Sequence, residues 1–396
     1  MVDAGTLLTV VVAGGASFFM AWAIGAGSSG STPFAPAVGA NAISVMRAGF
    51  IVGLLGLAGA ILQGANVSEA VGRELITGVS LSPLAATVAL LTAATLVAIG
   101  VFAGYPIATA FTVTGAVVGV GLAAGGNPAW AKYQQITILW VLVPFVGGGT
   151  AYATARLLRS PNVNEELAVP ALAGLIGLIL ANVEFAIFGP PGFGDSFAAL
   201  MAKQASSPPI FGIPLIHILV SLAVALAVAL LLARDIRGNK ARGQRHFLLA
   251  LGGLVAFSAG GSQVGLAIGP MLPLLEPYTV PLTATLVGGG CGLLLGSWTG
   301  APRMIKALAQ DYSSLGPRRS IAALIPSFAI AQVAVFLGVP VSFNEIIVSA
   351  IIGSGYAAQN AGVSRKKMVF TVLAWIGSLA LALGVGYGLF SAVSSL

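Results

Sequence analysis

The chain has 396 residues, of which 57% are hydrophobic and only 7% are charged, and its formal net charge is +7. A soluble globular protein has about a quarter of its residues charged, so the composition excludes a soluble fold. The positive charge does not indicate a nucleic-acid partner, because Lys and Arg lie in short gaps between apolar runs. The single cysteine, Cys291, excludes an intrachain disulfide and predicts a small packing residue.

Long apolar runs follow one another along the whole chain. About 20 apolar residues suffice for a helix to span the hydrocarbon of a bilayer. We therefore predict an all-α polytopic membrane protein with about twelve transmembrane crossings. In chain order the predicted crossings are 6–27, 43–66, 83–103, 107–125, 134–155, 167–189, 212–233, 247–268, 279–298, 320–339, 343–360 and 368–391.

The basic residues alternate between the gaps. Only Arg73, Lys132 and Lys203 follow even-numbered crossings, and all the others follow odd-numbered ones. Cytoplasmic loops are enriched in Lys and Arg, so we predict a multi-pass protein of the cell (plasma) membrane with both termini extracytoplasmic. The predicted cytoplasmic residues are Arg47, Arg156, Arg159, Arg234, Arg237, Lys240, Arg242, Arg245, Arg303, Lys306, Arg318, Arg319, Arg365, Lys366 and Lys367.

Several Gly and Pro landmarks recur at a nearly constant offset. Seven crossings separate the two sets, so equivalent elements point in opposite directions, as in the inverted-topology repeats of secondary transporters. We predict a first inverted repeat over 1–155, connecting helices and a cytoplasmic basic loop over 156–246, and a second inverted repeat over 247–396. The pairs are Pro36 and Pro270, Gly104 and Gly338, Pro106 and Pro340, Gly119 and Gly353, and, two residues further apart, Gly64 and Gly300.

Two polar, glycine-rich segments, 25–32 and 258–263, interrupt apolar runs near the start of each predicted repeat. Irregular backbone at membrane depth is tolerated only where it lines protein or a watery cavity. The segments carry hydroxyls and one amide but no carboxylate, and a helix that restarts after a break presents a positive dipole end. We therefore predict two broken helices around an oxyanion site. The alternative is that each Ser or Thr bonds to its own helix.

The predicted substrate-binding residues come from these segments and from the two Gly-x-Pro landmarks. Those landmarks precede Thr109 in the first half and Ser342 and Asn344 in the second, which would complete the pocket. From the segments themselves, the expected hydrogen-bond donors are Ser28, Ser29, Ser31, Thr32, Ser262 and Gln263.

Glu345 is the predicted proton-coupling residue, because it lies on a repeat landmark and an ionisable group in a membrane is functional by default. The alternative is a solvated glutamate at the water interface, which is the favoured reading for Glu69, Glu74 and Glu184. His217 and His246 form no cluster, so the sequence predicts no metal site and no cofactor.

The landmarks resemble those of the inorganic phosphate transporter family, known as PiT or Pho-4, over nearly the whole chain. In that family each half opens with a motif like GANDxANxxG and later carries PVSTTH and a VGAxxG run. Gly25-Ala26 and Gly260 stand in the two opening motifs, and Pro106-Ile107-Ala108-Thr109 and Pro340-Val341-Ser342 match the two PVSTTH motifs.

The departures from these motifs bear on the coupling ion and the substrate. The Asn-Asp pair of the family is Gly27-Ser28 in the first half and Ser262-Gln263 in the second. Sodium needs hard oxygen ligands, so these losses argue against sodium and favour the proton. The first motif is similar in its Gly, Ala and Ser content to that of the sulfate-permease relatives. Phosphate and sulfate therefore both stand as expected substrates.

We interpret the chain as a secondary transporter that moves an inorganic oxyanion across the bilayer by alternating access. A passive anion channel with the same pore walls and a non-transporting relative that serves as a membrane partner subunit are the alternatives. A membrane-embedded enzyme ranks below them, because clustered carboxylates, metal ligands and a His pair are absent from the sequence. The sequence leaves a homodimer open.

Overall fold

Hydrophobic helices dominate the computed structural model, which describes residues 4–189, 195–205, 207–357 and 363–395. Within these ranges ten helices are long and apolar enough to cross a membrane. The prediction of an all-α polytopic membrane protein is therefore confirmed. Many of the large side chains on the outer helices are exposed, as is expected for surfaces that face lipid; Phe145 and Leu231 are 73% and 69% exposed.

The first part of the chain runs from α1 to α7. A π-helical stretch, Gly25–Ser29, extends the end of α1. The helices are α1 Ala4–Ile24, α2 Ala35–Gly39, α3 Val45–Gln63, α4 Ala65–Arg73, α5 Pro83–Ala103, α6 Thr109–Ala123 and α7 Trp130–Arg159.

A middle part joins the two larger ones. It holds α8 Glu165–Asn182, α9 Phe197–Gln204 and α10 Leu215–Gly238, with a short 3-10 turn at Ala186–Phe188. Three antiparallel pairs of two-residue strands lie here and between α4 and α7. They are β1 Ile76–Thr77 with β2 Asn127–Pro128, β3 Glu184–Phe185 with β4 Asp195–Ser196, and β5 Pro209–Ile210 with β6 Ile213–Pro214.

The last part follows a similar order of long and short helices. Two 3-10 turns, Gly269–Met271 and Glu276–Tyr278, flank α12. The helices are α11 Lys240–Ile268, α12 Leu272–Leu275, α13 Leu282–Thr299, α14 Ala301–Gln310, α15 Pro317–Phe336, α16 Phe343–Tyr356 and α17 Arg365–Ser394.

Two predicted crossings, 107–125 and 343–360, are short helices. They correspond to α6 and α16, of 15 and 14 residues, and positions 358–360 lie outside the described residues. Such helices are about 22 Å long, less than the roughly 30 Å of hydrocarbon. The chain before each one turns at a glycine with positive φ, Gly104 at 73° and Gly338 at 58°, and then passes a proline that has no N–H to donate. Both short helices therefore begin inside the protein.

The predicted break at 258–263 is wrong. Helix α11 runs without interruption from Lys240 to Ile268, and every residue from Ser258 to Ile268 is buried. The glycines serve close packing: a Cβ on Gly260 would lie 1.9 Å from the Gly56 carbonyl oxygen of α3. Small residues let membrane helices approach in this way. The α-helix gives way to a 3-10 turn only at Gly269–Met271, which contains Pro270.

Close helix contacts occur in matched pairs. A Cβ on Gly25, the first residue of the π-helical stretch after α1, would lie 2.2 Å from the Leu293 carbonyl oxygen of α13. This contact corresponds to that of Gly260 in α11 with Gly56 in α3, because Gly25 and Gly260 are 235 positions apart and Gly56 and Leu293 are 237 apart. The contacts of α1 with α5 and of α11 with α15 are likewise matched. Equivalent helices of the first and last parts of the chain therefore make equivalent contacts.

Candidate functional site

The centre of the protein is a buried polar cluster formed by side chains from four segments. Thr109, the first residue of α6, donates from Oγ1 to Gln263 Oε1 of α11 at 2.7 Å. Ser28 of the π-helical stretch donates from Oγ to the same oxygen at 3.2 Å. All three residues are completely buried. The structure therefore brings together residues 81 to 235 positions apart that the sequence singled out separately.

Two amide side chains hold the irregular segments in place. Gln263 Nε2 donates to the Val341 carbonyl oxygen at 2.6 Å, just before α16. Asn344 Nδ2 donates to the carbonyl oxygens of Gly27 at 2.9 Å and Ile107 at 2.7 Å. Because a backbone carbonyl outside a regular helix needs a partner when it is buried, these bonds fix the two loops and the π-helical stretch to each other.

Both α6 and α16 present uncapped N-termini to this cluster. The residues at their N-cap positions are Ala108 and Ser342, and neither side chain accepts a hydrogen bond from the first turn. The first N–H groups of a helix have no intrahelical partner, and the dipole places partial positive charge there. Two such ends meeting in the buried interior form a favourable environment for an anion.

Unpartnered polar atoms are concentrated among the predicted site residues. A buried polar group without a partner is costly and is rare in folded proteins. Among the described residues, three of the seven residues with such an atom lie at the start of α16, and two more lie in the predicted segments 25–32 and 258–263, which favours a ligand as their partner. Within the described residues, the predicted site residues with a buried polar atom and no hydrogen bond are Ser29, Ser262, Ser342, Asn344 and Glu345, through Oγ, Oγ, Oγ, Oδ1 and Oε2 respectively.

Two predicted donors are engaged locally instead. Ser31 Oγ and Thr32 Oγ1 donate to the Ser28 carbonyl oxygen at 3.2 and 3.0 Å. A hydroxyl has one proton to donate, so these side chains stabilise the turn that follows the π-helical stretch. Ser31 and Thr32 therefore follow the alternative given above, in which a hydroxyl bonds to nearby backbone.

Two tryptophans that the sequence did not single out support the site. Trp140 of α7 donates from Nε1 to the Pro340 carbonyl oxygen at 2.8 Å, and Trp375 of α17 donates to the Pro106 carbonyl oxygen at 2.8 Å. Each indole reaches the loop that precedes a short helix of the other part of the chain. The two tryptophans are 235 residues apart, close to the offset of the Gly and Pro landmarks, and this spacing could have identified them from the sequence.

A second polar network joins α3, α11 and α15, and sequence analysis singled out only its Ser258, within the segment 258–263. Gln332 Nε2 of α15 donates to Ser258 Oγ at 2.6 Å, and Gln63 Nε2 of α3 donates to Gln332 Oε1 at 3.2 Å. Ser258, Gln332 and Gln63 are all buried. The signal would have been a glutamine in an otherwise apolar run, since polar groups in a membrane pair with one another.

The other ionisable candidates are placed away from the cluster. Glu69 forms an exposed ion pair with Arg73, and the exposed Glu74 pairs with the largely buried Lys132. Burial, together with the nearby charge of Asp195, raises the pKa of Glu184. His217 contacts Asn182, and His246 contacts Asp235. No group of three or more His, Cys, Asp or Glu side chains suited to a metal is present among the described residues.

The chain is similar to known membrane transporters. A model described as the phosphate transporter family matches residues 24–386. A predicted phosphate permease of Thermococcus kodakarensis is 24% identical, over 96% of this chain and 96% of its own. The inorganic phosphate transporter 2-1, chloroplastic, of Arabidopsis thaliana is 24% identical over 91% of this chain and 68% of its own. A solved structure titled "The sodium-dependent phosphate transporter" has a TM-score of 0.81 and 22% identity, covering 98% of this chain and 100% of that one.

Proposed function

The chain belongs to the phosphate transporter family, whose model matches it over residues 24–386. We propose that it is a secondary transporter that moves inorganic phosphate across the cell membrane by alternating access. The observation that carries the proposal is the meeting of two uncapped, buried helix N-termini with unpartnered hydroxyl and amide groups. The curated relatives named as phosphate permeases support the same substrate.

The proposed architecture is a pair of inverted repeats, 1–155 and 247–396, joined by the segment 156–246. Support comes from the matched contacts of Gly25 with Leu293 and of Gly260 with Gly56. The crossed bonds of Trp140 and Trp375 to the opposite loops support it as well. In this arrangement, rocking one part against the other exposes a central site to each side in turn.

The site is proposed to bind the anion mainly through hydroxyl donors. Ser29, Ser262 and Ser342 have free hydroxyls, and the N-termini of α6 and α16 contribute positive dipole ends. Ser28 and Thr109 now donate to Gln263 Oε1. Because a hydroxyl rotates readily about its C–O bond, they can turn toward a bound anion.

Hydrogen phosphate is favoured over sulfate because of the acceptors at this site. Sulfate carries no proton near neutral pH, whereas hydrogen phosphate has one P–O–H group that must donate. Asn344 Oδ1 and Glu345 Oε2 are buried acceptors without partners in the described residues. A site built to bond a donor rejects an analogue that lacks it, because the acceptor is then left unpaired. These two atoms supply the acceptor that the missing motif aspartates would have given.

Glu345 is proposed to couple phosphate entry to proton entry. The residue is 1% exposed and has no ion pair among the described residues. An unpaired charge in this interior is costly, so the carboxyl group is expected to enter the occluded state with its proton. The solved relative named as sodium-dependent makes sodium the competing coupling ion, and the uptake experiment separates the two.

The decisive experiment is transport by the purified protein in liposomes. Labelled phosphate and labelled sulfate are offered separately, under an inward proton gradient, an inward sodium gradient, both or neither. We expect phosphate to accumulate above equilibrium with a proton gradient alone, and sulfate to accumulate much less. Equilibration without accumulation under every gradient would indicate a channel. Accumulation that follows only the sodium gradient would refute proton coupling.

The proposed orientation places both termini on the extracytoplasmic side of a multi-pass plasma-membrane protein. Support comes from the clustering of Lys and Arg near the ends of α7 and α10, within α14, and at the starts of α11, α15 and α17. A cell-impermeant reagent applied to cysteines placed at each terminus in intact cells, with Cys291 replaced by Ser, tests it. Labelling of one terminus only contradicts an even number of crossings. A homodimer is tested separately by the mass of the detergent-solubilised protein.

A further inference from the structure

A second polar feature lies at the cytoplasmic-type basic ends of several helices, away from the central cluster. Near the basic residues at the ends of the helices there is a cavity of about 450 Å³, which we call the basic cavity. Its volume is in the range of small-molecule sites. It lies where the spans of α7, α8, α11 and α15 begin or end. The residues lining it are Arg159, Glu165, Lys240, Gln244, Gly316, Pro317, Arg318 and Arg319.

One buried carboxylate organises one wall of the basic cavity. Arg318 donates to Glu165 from Nε at 2.9 Å and from Nη2 at 2.7 Å. Lys240 Nζ lies 2.7 Å from Glu165 Oε2, and Gln244 Nε2 donates to Oε1 at 2.7 Å. Both oxygens of Glu165 are thus fully used. The carboxylate holds Arg318 and Lys240 in fixed positions, although the side chains of these two residues remain about half exposed.

The other two cations in the lining, Arg159 and Arg319, carry positive charge that no carboxylate balances. Arg159 ends α7, and Arg319 lies in the first turn of α15. Within the described part of the chain, neither has an Asp or Glu oxygen within 4.0 Å. Four cations therefore face one carboxylate in the lining of the cavity. The uncapped N-terminus of α15, behind Pro317, adds its positive dipole end.

The geometry points to a binding site for a phosphate group in the basic cavity, supplied by an anionic lipid headgroup or by free phosphate. Arginine suits this chemistry because its planar guanidinium donates two hydrogen bonds to phosphate oxygens. A basic pocket between helices at the membrane boundary is where a lipid phosphate lies. Arg159 and Arg319 would provide the binding contacts, and Glu165 would position Arg318 and Lys240 beside them.

Binding in the basic cavity would affect transport through the two helices that the cavity joins. The cavity joins α15, which contacts the short helix α16 and carries Gln332, to α7, which carries Trp140 and also contacts α16. A phosphate held between Arg159 and Arg319 would bridge these two helices. Binding would therefore favour whichever conformation keeps their ends together.

The test compares the double variant R159Q/R319Q with R156Q. Arg156 is exposed one turn earlier on α7 and does not line the cavity. Each purified protein, in neutral detergent, is titrated with dioleoyl phosphatidylglycerol, dioleoyl phosphatidylcholine, sodium phosphate or sodium chloride of equal ionic strength. The rise in unfolding temperature gives an apparent Kd. If R159Q/R319Q does not fold, R159Q alone replaces it.

For a lipid occupant, phosphatidylglycerol stabilises the natural protein and R156Q, and R159Q/R319Q raises its apparent Kd by about tenfold or more. For free phosphate, the same loss is seen with sodium phosphate, and it persists in a Ser342→Ala background that weakens the central site. Unchanged Kd values for both probes in R159Q/R319Q would overturn the inference. An equal loss in R156Q would overturn it too, because the effect would then belong to the whole basic face.

Discussion

The indole N–H of Trp140 in α7 donates to the carbonyl oxygen of Pro340, 200 residues later in the chain, at 2.8 Å. This bond anchors the loop that positions the start of α16. The corresponding bond from Trp375 to Pro106 anchors the start of α6. The position of each uncapped helix N-terminus is thus set by a tryptophan from the other part of the chain.

Replacing either tryptophan with phenylalanine removes the donor and keeps most of the ring. We expect Trp140→Phe and Trp375→Phe each to destabilise the protein by about 1–3 kcal/mol, the cost of a buried carbonyl left without a partner. Uptake should fall as well, because the helix N-terminus loses its anchor. Denaturant unfolding in detergent micelles measures the first effect. Trp130→Phe is the control, since Trp130 is 73% exposed, and an equal loss there would contradict the prediction.

Ser342→Ala and Ser31→Ala separate a binding hydroxyl from a structural one. Ser342 Oγ is buried without a partner, whereas Ser31 Oγ donates to the Ser28 carbonyl oxygen. We expect Ser342→Ala to raise the KM for phosphate by about tenfold, the equivalent of one hydrogen bond to an anion, with stability unchanged or improved. Ser31→Ala should instead lower stability by about 1 kcal/mol and leave the KM unchanged. The reverse pattern would place the substrate elsewhere.

Gln263→Ala removes the acceptor shared by Ser28 and Thr109 and the donor to Val341. We expect labelled-phosphate uptake to fall by at least about tenfold, while the protein still reaches the membrane. Gln310→Ala is the matched control, because Gln310 is exposed at the end of α14. Normal uptake by Gln263→Ala would exclude α11 from the site.

Glu345→Gln replaces the buried carboxyl group with a neutral amide of the same shape. If Glu345 carries the coupled proton, accumulation driven by a proton gradient should be lost, while exchange of internal for external phosphate continues. Both are measured with labelled phosphate in liposomes. The control is Glu69→Gln, whose side chain is 43% exposed in an ion pair with Arg73. Proton-driven accumulation by Glu345→Gln would rule out this role.

Gly260→Ala tests the close approach of α11 to α3. The added Cβ would lie 1.9 Å from the Gly56 carbonyl oxygen, so the helices must separate. Overpacking of this kind costs about 1–3 kcal/mol or more. We expect a lower unfolding temperature and reduced uptake. Gly149→Ala in α7 is the control, since no atom lies within 4 Å of that added Cβ, and similar losses in both variants would argue against the packing role.

Part of the site was predictable from chemistry and spacing. Residues such as Ser28, Gln263 and Asn344 stood out because polar side chains in apolar runs need a reason. The partners of each group were not predictable. Ser31 and Ser342 are both serines that the sequence predicts to bind substrate, yet one hydroxyl bonds to the backbone of its own turn and the other is unpartnered. That difference depends on local backbone geometry, which composition does not encode.

The backbone conformation of the segment 258–263 was also not predictable from the sequence. Glycine and serine in an apolar run are compatible both with a helix break and with a tightly packed continuous helix. Only the position of α3 beside α11 decides between them, because the missing side chains make room for the Gly56 carbonyl.

The sequence by itself determined that this chain is a bundle of membrane-spanning helices with two sets of related landmarks, because hydrophobicity and glycine and proline positions act locally along the chain. The tertiary structure decided which hydroxyls are free, which glycines pack and where the helix N-termini meet. Those properties arise from contacts between residues up to 317 positions apart, such as Asn344 with Gly27, and such contacts exist only once the helices have packed.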